Sequence, residues 1–170
     1  VWQRAAGGGG MVLGSVGCFL VIASRAHAAA RGAAPIARIA GVATDRSSRR
    51  PGEATAVAQR QIAALAPEGS DLAGTAIISG ATGVAAPTAE EAALLQDLHL
   101  PVRATATALG ESLEASFPAS VALAAMAVAK RRLFGPLEAA EAAMPGALRR
   151  VLVTSWGAWR GEALAVLDPP

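Results

Sequence analysis

The chain has 170 residues, a net charge of +2 and 53% hydrophobic against 16% charged residues. That is long enough for one domain with a sizeable core. The single cysteine excludes a disulfide framework and a thiolate metal cluster, and two histidines far apart in sequence argue against a histidine-based metal site.

The basic residues fall into short runs, Arg46 with Arg49 and Arg50, and Lys130 to Arg132. Neither run is interleaved with aromatics, so both read as solvated surface and not as a nucleic-acid face. Met11 to Ala28 has the apolar stretch and the Ala-x-Ala ending of a secretory signal. Arg25 interrupts it before the cleavage position, no basic residue follows Met11 within an n-region, and ten residues, Arg4 among them, precede Met11. The run is also shorter than the roughly 20 residues needed to span a bilayer. The expectation is a cytoplasmic protein without a membrane span, and a core strand over Gly17 to Ala23.

A helix from Ser24 to Ala30 follows, closed by Arg31-Gly32. Pro35 to Thr44 alternates and predicts a strand, and Asp45 to Gly52 a loop. Glu53 to Leu65 has helical spacing, and Pro67 to Asp71 is a turn. Thr75 to Ser79 is a short buried strand. Pro87 starts a helix to about Leu98, with Glu90 and Glu91 favouring its dipole. Leu100 to Ala104 is a weak strand. Ser112 to Arg132 is a long helix, apolar almost all round in its middle, which predicts burial on every side. Arg150 to Thr154 and Ala163 to Leu167 form a hairpin around SWGAWRGE. The alternation predicts an α/β layered fold with a mixed, mainly parallel sheet and a buried central helix.

The stretch IISGATGVAAPTAEE (77–91) concentrates the functional question. Gly80-x-x-Gly83-x-x-Ala86 after a strand has the look of an NAD(P)-binding Rossmann-like loop. The motif lies mid-chain, Asp97 is the nearest acid to the ribose position, and no Tyr-x-x-x-Lys exists. A plain reading is a turn in which Gly80 and Gly83 supply positive φ.

A third reading rests on the order of segments. GMVLGSVGCFLVIAS (10–24), RAHAAARGAAPIARIAG (25–41), ISGATGVAAPTAEE (78–91), VRATATALGE (102–111), MAVAKRRLFGP (126–136) and RVLVTSWGAWRGEALAVLD (150–168) follow one another. In that order and spacing they resemble the C-terminal half of the β-ketoacyl-acyl carrier protein synthase family, of the thiolase superfamily. The resemblance covers nearly the whole chain and implies a thiolase-like fold whose N-terminal half lies outside residues 1–170.

The resemblance implies a site with a Cys nucleophile in the other half, two histidines, a lysine and a threonine pair that holds pantetheine. Cys18 is not that nucleophile and reads as a small buried thiol. The first His position is Ser79, the Lys position Ala106 and the second His position Glu111. A hydroxyl cannot replace an imidazole with a pKa near 7, and a carboxylate repels a developing oxyanion. The threonine pair is Ala81 and Gly83, with Thr82 between them; the acid of the family's GEG turn is Ser15. Glu114, Phe117 and Pro118 replace small residues and are expected to fill acyl space. The gating loop is SWGAWRG, with Trp156, Gly157, Trp159 and Arg160. Thr82, Trp156 and Gly157 remain as candidate substrate contacts.

No catalytic set is intact, no metal is implied and no cofactor beyond the family's acyl-phosphopantetheine on its carrier protein. The implied role is a chain-length-factor-like (ketosynthase-beta) partner of an active ketosynthase, in fatty acid or polyketide biosynthesis. Its partners are a ketosynthase subunit or the chain's own N-terminal half, in a homo- or heterodimer, and acyl carrier protein. The alternatives are an active acyl-condensing enzyme with altered residues and the NAD(P)-binding domain. Taken singly, Ser79 reads as a turn hydroxyl, Glu111 as a solvated first-turn acid, Trp156 and Trp159 as packing, and His27 and His99 as surface residues.

Overall fold

The computed structural model describes residues 1–48, 50–66, 71–156 and 161–170. Its helices are α1 (Trp2–Ala6), α2 (Arg25–Ala30), α3 (Glu53–Leu65), α4 (Ala85–Asp97), α5 (Ala106–Leu109) and α6 (Ser116–Ala129), with a 3-10 turn at Leu113–Ala115. Its strands are β1 (Arg38–Asp45), β2 (Thr75–Ser79), β3 (Val102–Ala104), β4 (Arg150–Trp156) and β5 (Glu162–Asp168).

The strands form one mixed sheet in the order β1-β5-β4-β2-β3. β2 is parallel to β3 and β4, and β5 is antiparallel to β4 and β1. The predicted α/β class, mixed sheet and closing hairpin are therefore present. TAIIS and RVLVTSW lack polar alternation because both faces of the sheet are covered. Ala76, Ile78, Val151, Val153, Ala165 and Leu167 meet α6 on one face. Ile77, Leu152, Leu164 and Val166 meet Ile62 and Leu65 of α3 and Leu95 of α4 on the other.

One rim of the sheet is tied by charge. Arg150 at the start of β4 holds Asp168 at the end of β5 through two bonds of 2.7 and 2.9 Å, and Arg38 of β1 adds a third at 2.9 Å. These bonds hold the Asp168 carboxyl below its ordinary range, Arg150 contributing most.

Several expectations need correcting. No strand forms over Gly17 to Ala23 among the described residues. Phe19 and Val21 are each 97% exposed, so the run has neither a ladder partner nor a face to bury. Cys18, on this extended run, is half-buried and not buried. β1 starts at Arg38, not Pro35, and lies at the sheet edge with Ile39 and Val42 exposed.

α4 starts at Ala85, so Pro87 sits in its first turn, where a missing N–H costs nothing. Glu90 and Glu91 then fall beyond the first turn and do not serve the α4 dipole. The long helix begins at Ser116 behind the 3-10 turn and ends at Ala129. Arg131 takes φ +50°, its N–H reaches Val128 O and the next N–H reaches Ala127 O, a Schellman closure without glycine. α6 buries its inner face through Val121, Ala124, Ala127 and Val128, while Met126 stays 49% exposed. The expected turns at Pro67 to Asp71 and within SWGAWRGE fall largely outside the described residues, as do Arg49, Trp159 and Arg160. No helix among the described residues is long and apolar enough to cross a membrane.

Candidate functional site

Parallel strands place their C-terminal ends on one side of a sheet, and ligand crevices form there. In this chain the ends of β2, β3 and β4 open into a cavity of about 610 Å³. β2 delivers Ser79 and the turn Gly80 to Thr82. The turn after β3 delivers Thr105 and Ala106, and α5 adds Leu109. β4 delivers Thr154 to Trp156. Phe117 and Ser120 of α6 form another wall, and Met11 and Val16 come from the N-terminal segment.

The sequence-predicted positions Ser79, Thr82, Ala106, Glu111 and Trp156 all line this one cavity. Gly157 lies outside the described residues. Glu111 is 7% exposed, so it is not the solvated acid expected at a helix start. Its place is fixed by the backbone: Glu111 N–H donates to Val12 O and Gly14 N–H donates to Glu111 O, both at 2.8 Å. Gly110, with φ +70°, makes this possible, since a Cβ there would lie 2.7 Å from the Gly14 backbone. Glu114 and Phe117 line the cavity but do not close it, contrary to expectation. His27 and His99 are on the surface, as expected.

Ser79 is a turn hydroxyl with a further partner. Its Oγ accepts from Ala81 N–H at 3.0 Å and donates to Glu91 Oε1 at 2.8 Å. Thr154 Oγ1 donates to the same oxygen at 2.6 Å and accepts from Gly80 N–H at 3.0 Å. Glu91 is wholly buried, and its Oε2 has no partner among the described residues. Burial pushes its carboxyl up to about 7, against the opposing pull of the Thr154 and Ser79 hydroxyls. Gly80 does not need positive φ; a Cβ there would lie 2.7 Å from Thr154 O and 2.9 Å from Ser155 Cα. Gly83 does take φ +93°.

Glu91 and Thr154 escaped the sequence reading. The signal was available in α4: Thr88, Glu91, Leu94 and Leu95 recur at helical spacing, and all are buried. Glu90, one residue away, points elsewhere. Its Oε1 accepts from Gly52 N–H and Thr55 N–H, both at 3.1 Å, and so caps α3. No group of His, Cys, Asp and Glu that could hold a metal occurs among the described residues.

No protein-family profile and no curated protein matched the chain. Solved structures did. The ishigamide ketosynthase/chain length factor superposes with a TM-score of 0.66 at 17% identity, over 86% of this chain and 41% of that one. The chain has a ketosynthase fold. A type II polyketide synthase acyl-carrier protein in complex with its ketosynthase, bound to the hexaketide, gives a TM-score of 0.64 at 14% identity, over 86% and 42%. An oxazolomycin ketosynthase domain from Streptomyces albus gives 0.63 at 20% identity, over 85% and 48%. The chain thus spans less than half the length of the ketosynthase-fold structures it matches. The thiolase-like architecture expected from the order of segments is the one found.

Proposed function

We propose that this chain is a non-catalytic ketosynthase-fold subunit of fatty acid or polyketide biosynthesis, cytoplasmic, and a partner of an active ketosynthase. It corresponds to the C-terminal half of that fold, and a ketosynthase N-terminal half, its own or a partner's, completes it. One observation carries the reading. The positions at which the family resemblance calls for His, Lys and His converge on one cavity, yet hold Ser79, Ala106 and Glu111. A methyl group has no proton to move, and an acceptor at Glu111 opposes the charge that condensation develops. A structure related in fold is a ketosynthase/chain length factor, and another is a ketosynthase with its acyl-carrier protein, which supports a role beside both.

The test is co-expression with a ketosynthase encoded beside it. The expected result is a stable complex in which condensation of malonyl- and acyl-carrier protein depends entirely on the cysteine of the partner. Condensation by this chain in the absence of a ketosynthase overturns the reading.

A second reading, an active acyl-condensing enzyme with altered residues, is favoured by one contact. Ser79 lines the cavity and hydrogen-bonds the Glu91 carboxyl behind it, whose pKa burial raises to about 7, in the range of a general acid or base. Acyl transfer to this chain that is lost in Ser79→Ala would select it.

A further inference from the structure

Gly17 to Ala23 has no main-chain hydrogen-bond partner among the described residues. Alternation along the run puts Phe19 and Val21 on one face and Cys18, Leu20 and Ile22 on the other, so both faces are apolar. Phe19, Leu20, Val21 and Ile22 are nonetheless exposed. Strands with two apolar faces belong inside a sheet that is covered on both sides, as β2 and β4 are in this chain. The run also has the seven-residue length of β4 and β5.

Neither edge of the chain's own sheet suits it. β3, at one edge, has only three residues. β1, at the other, carries Ile39 and Val42 opposite Leu167 and Ala165, on the face that α6 covers further in. Ile39 and Val42 are themselves exposed, so a run laid beside β1, in this chain or in a second copy, would keep an apolar face in water. α6 is open in the same way. It carries no charge from Ser116 to Ala129, yet Met126 and Ala129 on its outer face are exposed. A helix that is apolar all round is normally buried on every side.

An unpaired strand and an uncovered helix layer call for one partner that supplies both a sheet and helices. The ketosynthase-fold structures matched above have that size, since this chain accounts for less than half of each. We propose that Gly17 to Ala23 is a donated strand, which enters the sheet of a ketosynthase N-terminal half as an interior strand while the outer face of α6 packs on that half. The proposal rests on the reading that such a half completes this chain.

The test is amide hydrogen exchange on the isolated chain and on the complex obtained by co-expression with a ketosynthase N-terminal half. Residues 17–23 are expected to exchange without protection in the isolated chain and on the order of a hundredfold more slowly in the complex. Val21→Pro keeps an apolar side chain, removes one N–H and alters a residue that is exposed in this chain. It is expected to weaken the complex about tenfold or more, the usual cost of proline inside a strand or helix ladder. Failure to form any complex overturns the completing-half reading and this proposal with it. A complex in which residues 17–23 still exchange freely, or one that Val21→Pro leaves unchanged, overturns the donated strand alone. Protection that arises in the isolated chain and grows with its concentration assigns the run to a second copy and likewise overturns the proposal.

Discussion

The Ser79 hydroxyl and the Glu91 carboxyl meet at 2.8 Å across the turn from β2 to α4, and Thr154 of β4 reaches the same Glu91 oxygen at 2.6 Å. Two strands and a helix thus share one buried acceptor directly beneath the cavity. An acid in that position is best accommodated with its proton on, because burial disfavours the charged form.

Stability should follow. The Glu91 pKa is raised to about 7 in the fold, whereas an unfolded Glu titrates near 4.3. The stabilisation from the bound proton is complete below the unfolded value and is lost as pH rises through the folded one. Between those values the unfolded chain releases a proton that the folded chain retains. Chemical denaturation should therefore show stability falling between about pH 4.5 and 7, by an amount on the order of 3 kcal/mol. Glu91→Gln keeps an acceptor for both hydroxyls and should flatten that limb. A mutant that retains the full slope would place the titration elsewhere.

Asp168 works in the opposite direction. Arg150, and then Arg38, hold its carboxyl below the ordinary value, so its contribution is present above the unfolded pKa and disappears as pH falls through the folded one. Asp168→Asn should cost roughly 1.5–3 kcal/mol at pH 7, the usual worth of hydrogen bonds to a charged group. The difference between mutant and parent should shrink in acid, measured as the denaturation midpoint against pH.

Glu90→Ala should lower stability by about 1 kcal/mol, as loss of a helix cap does. The N–H groups of Gly52 and Thr55 lose their shared acceptor, so amide exchange at the start of α3 should accelerate while that of β4 stays unchanged. Uniform acceleration throughout the chain would mean that Glu90 acts globally and not as a cap.

Gly80→Ala should destabilise by about 1–3 kcal/mol or more, because the added methyl meets backbone of β4 that has nowhere to go. Gly135→Ala is the matched control: no atom lies within 4 Å of its added Cβ and its φ is not positive, so its denaturation midpoint should scarcely move.

The sheet was the most legible part of the sequence. TAIIS and RVLVTSW carry unbroken apolar runs because helices cover both faces, and that pattern is local. Gly17 to Ala23 carries a run of the same kind but stays extended and exposed. Composition states that a run can be buried, not that a neighbour exists to bury it. The site was legible by resemblance: Ser79, Ala106, Glu111, Thr82 and Trp156 come from three stretches of sequence and share one cavity. The environment of each was not legible. Glu90 and Glu91 are adjacent and chemically identical, yet one caps a neighbouring helix and the other is sealed at 0% exposure. Only the phase of α4 against the sheet separates them. Glu111 is buried because an extended segment a hundred residues away passes over it, and no window of sequence contains that contact.

The convergence of β2, β3 and β4 has a consequence for protein engineering. Positions 79 and 106 are set by where parallel strands end, and position 111 by a backbone bridge to Leu13. None of the three is held in place by its own side chain's chemistry alone. New side chains at these positions inherit the placement of their Cα atoms from the main chain, so the chemistry of the cavity wall can be varied there while its backbone frame is kept.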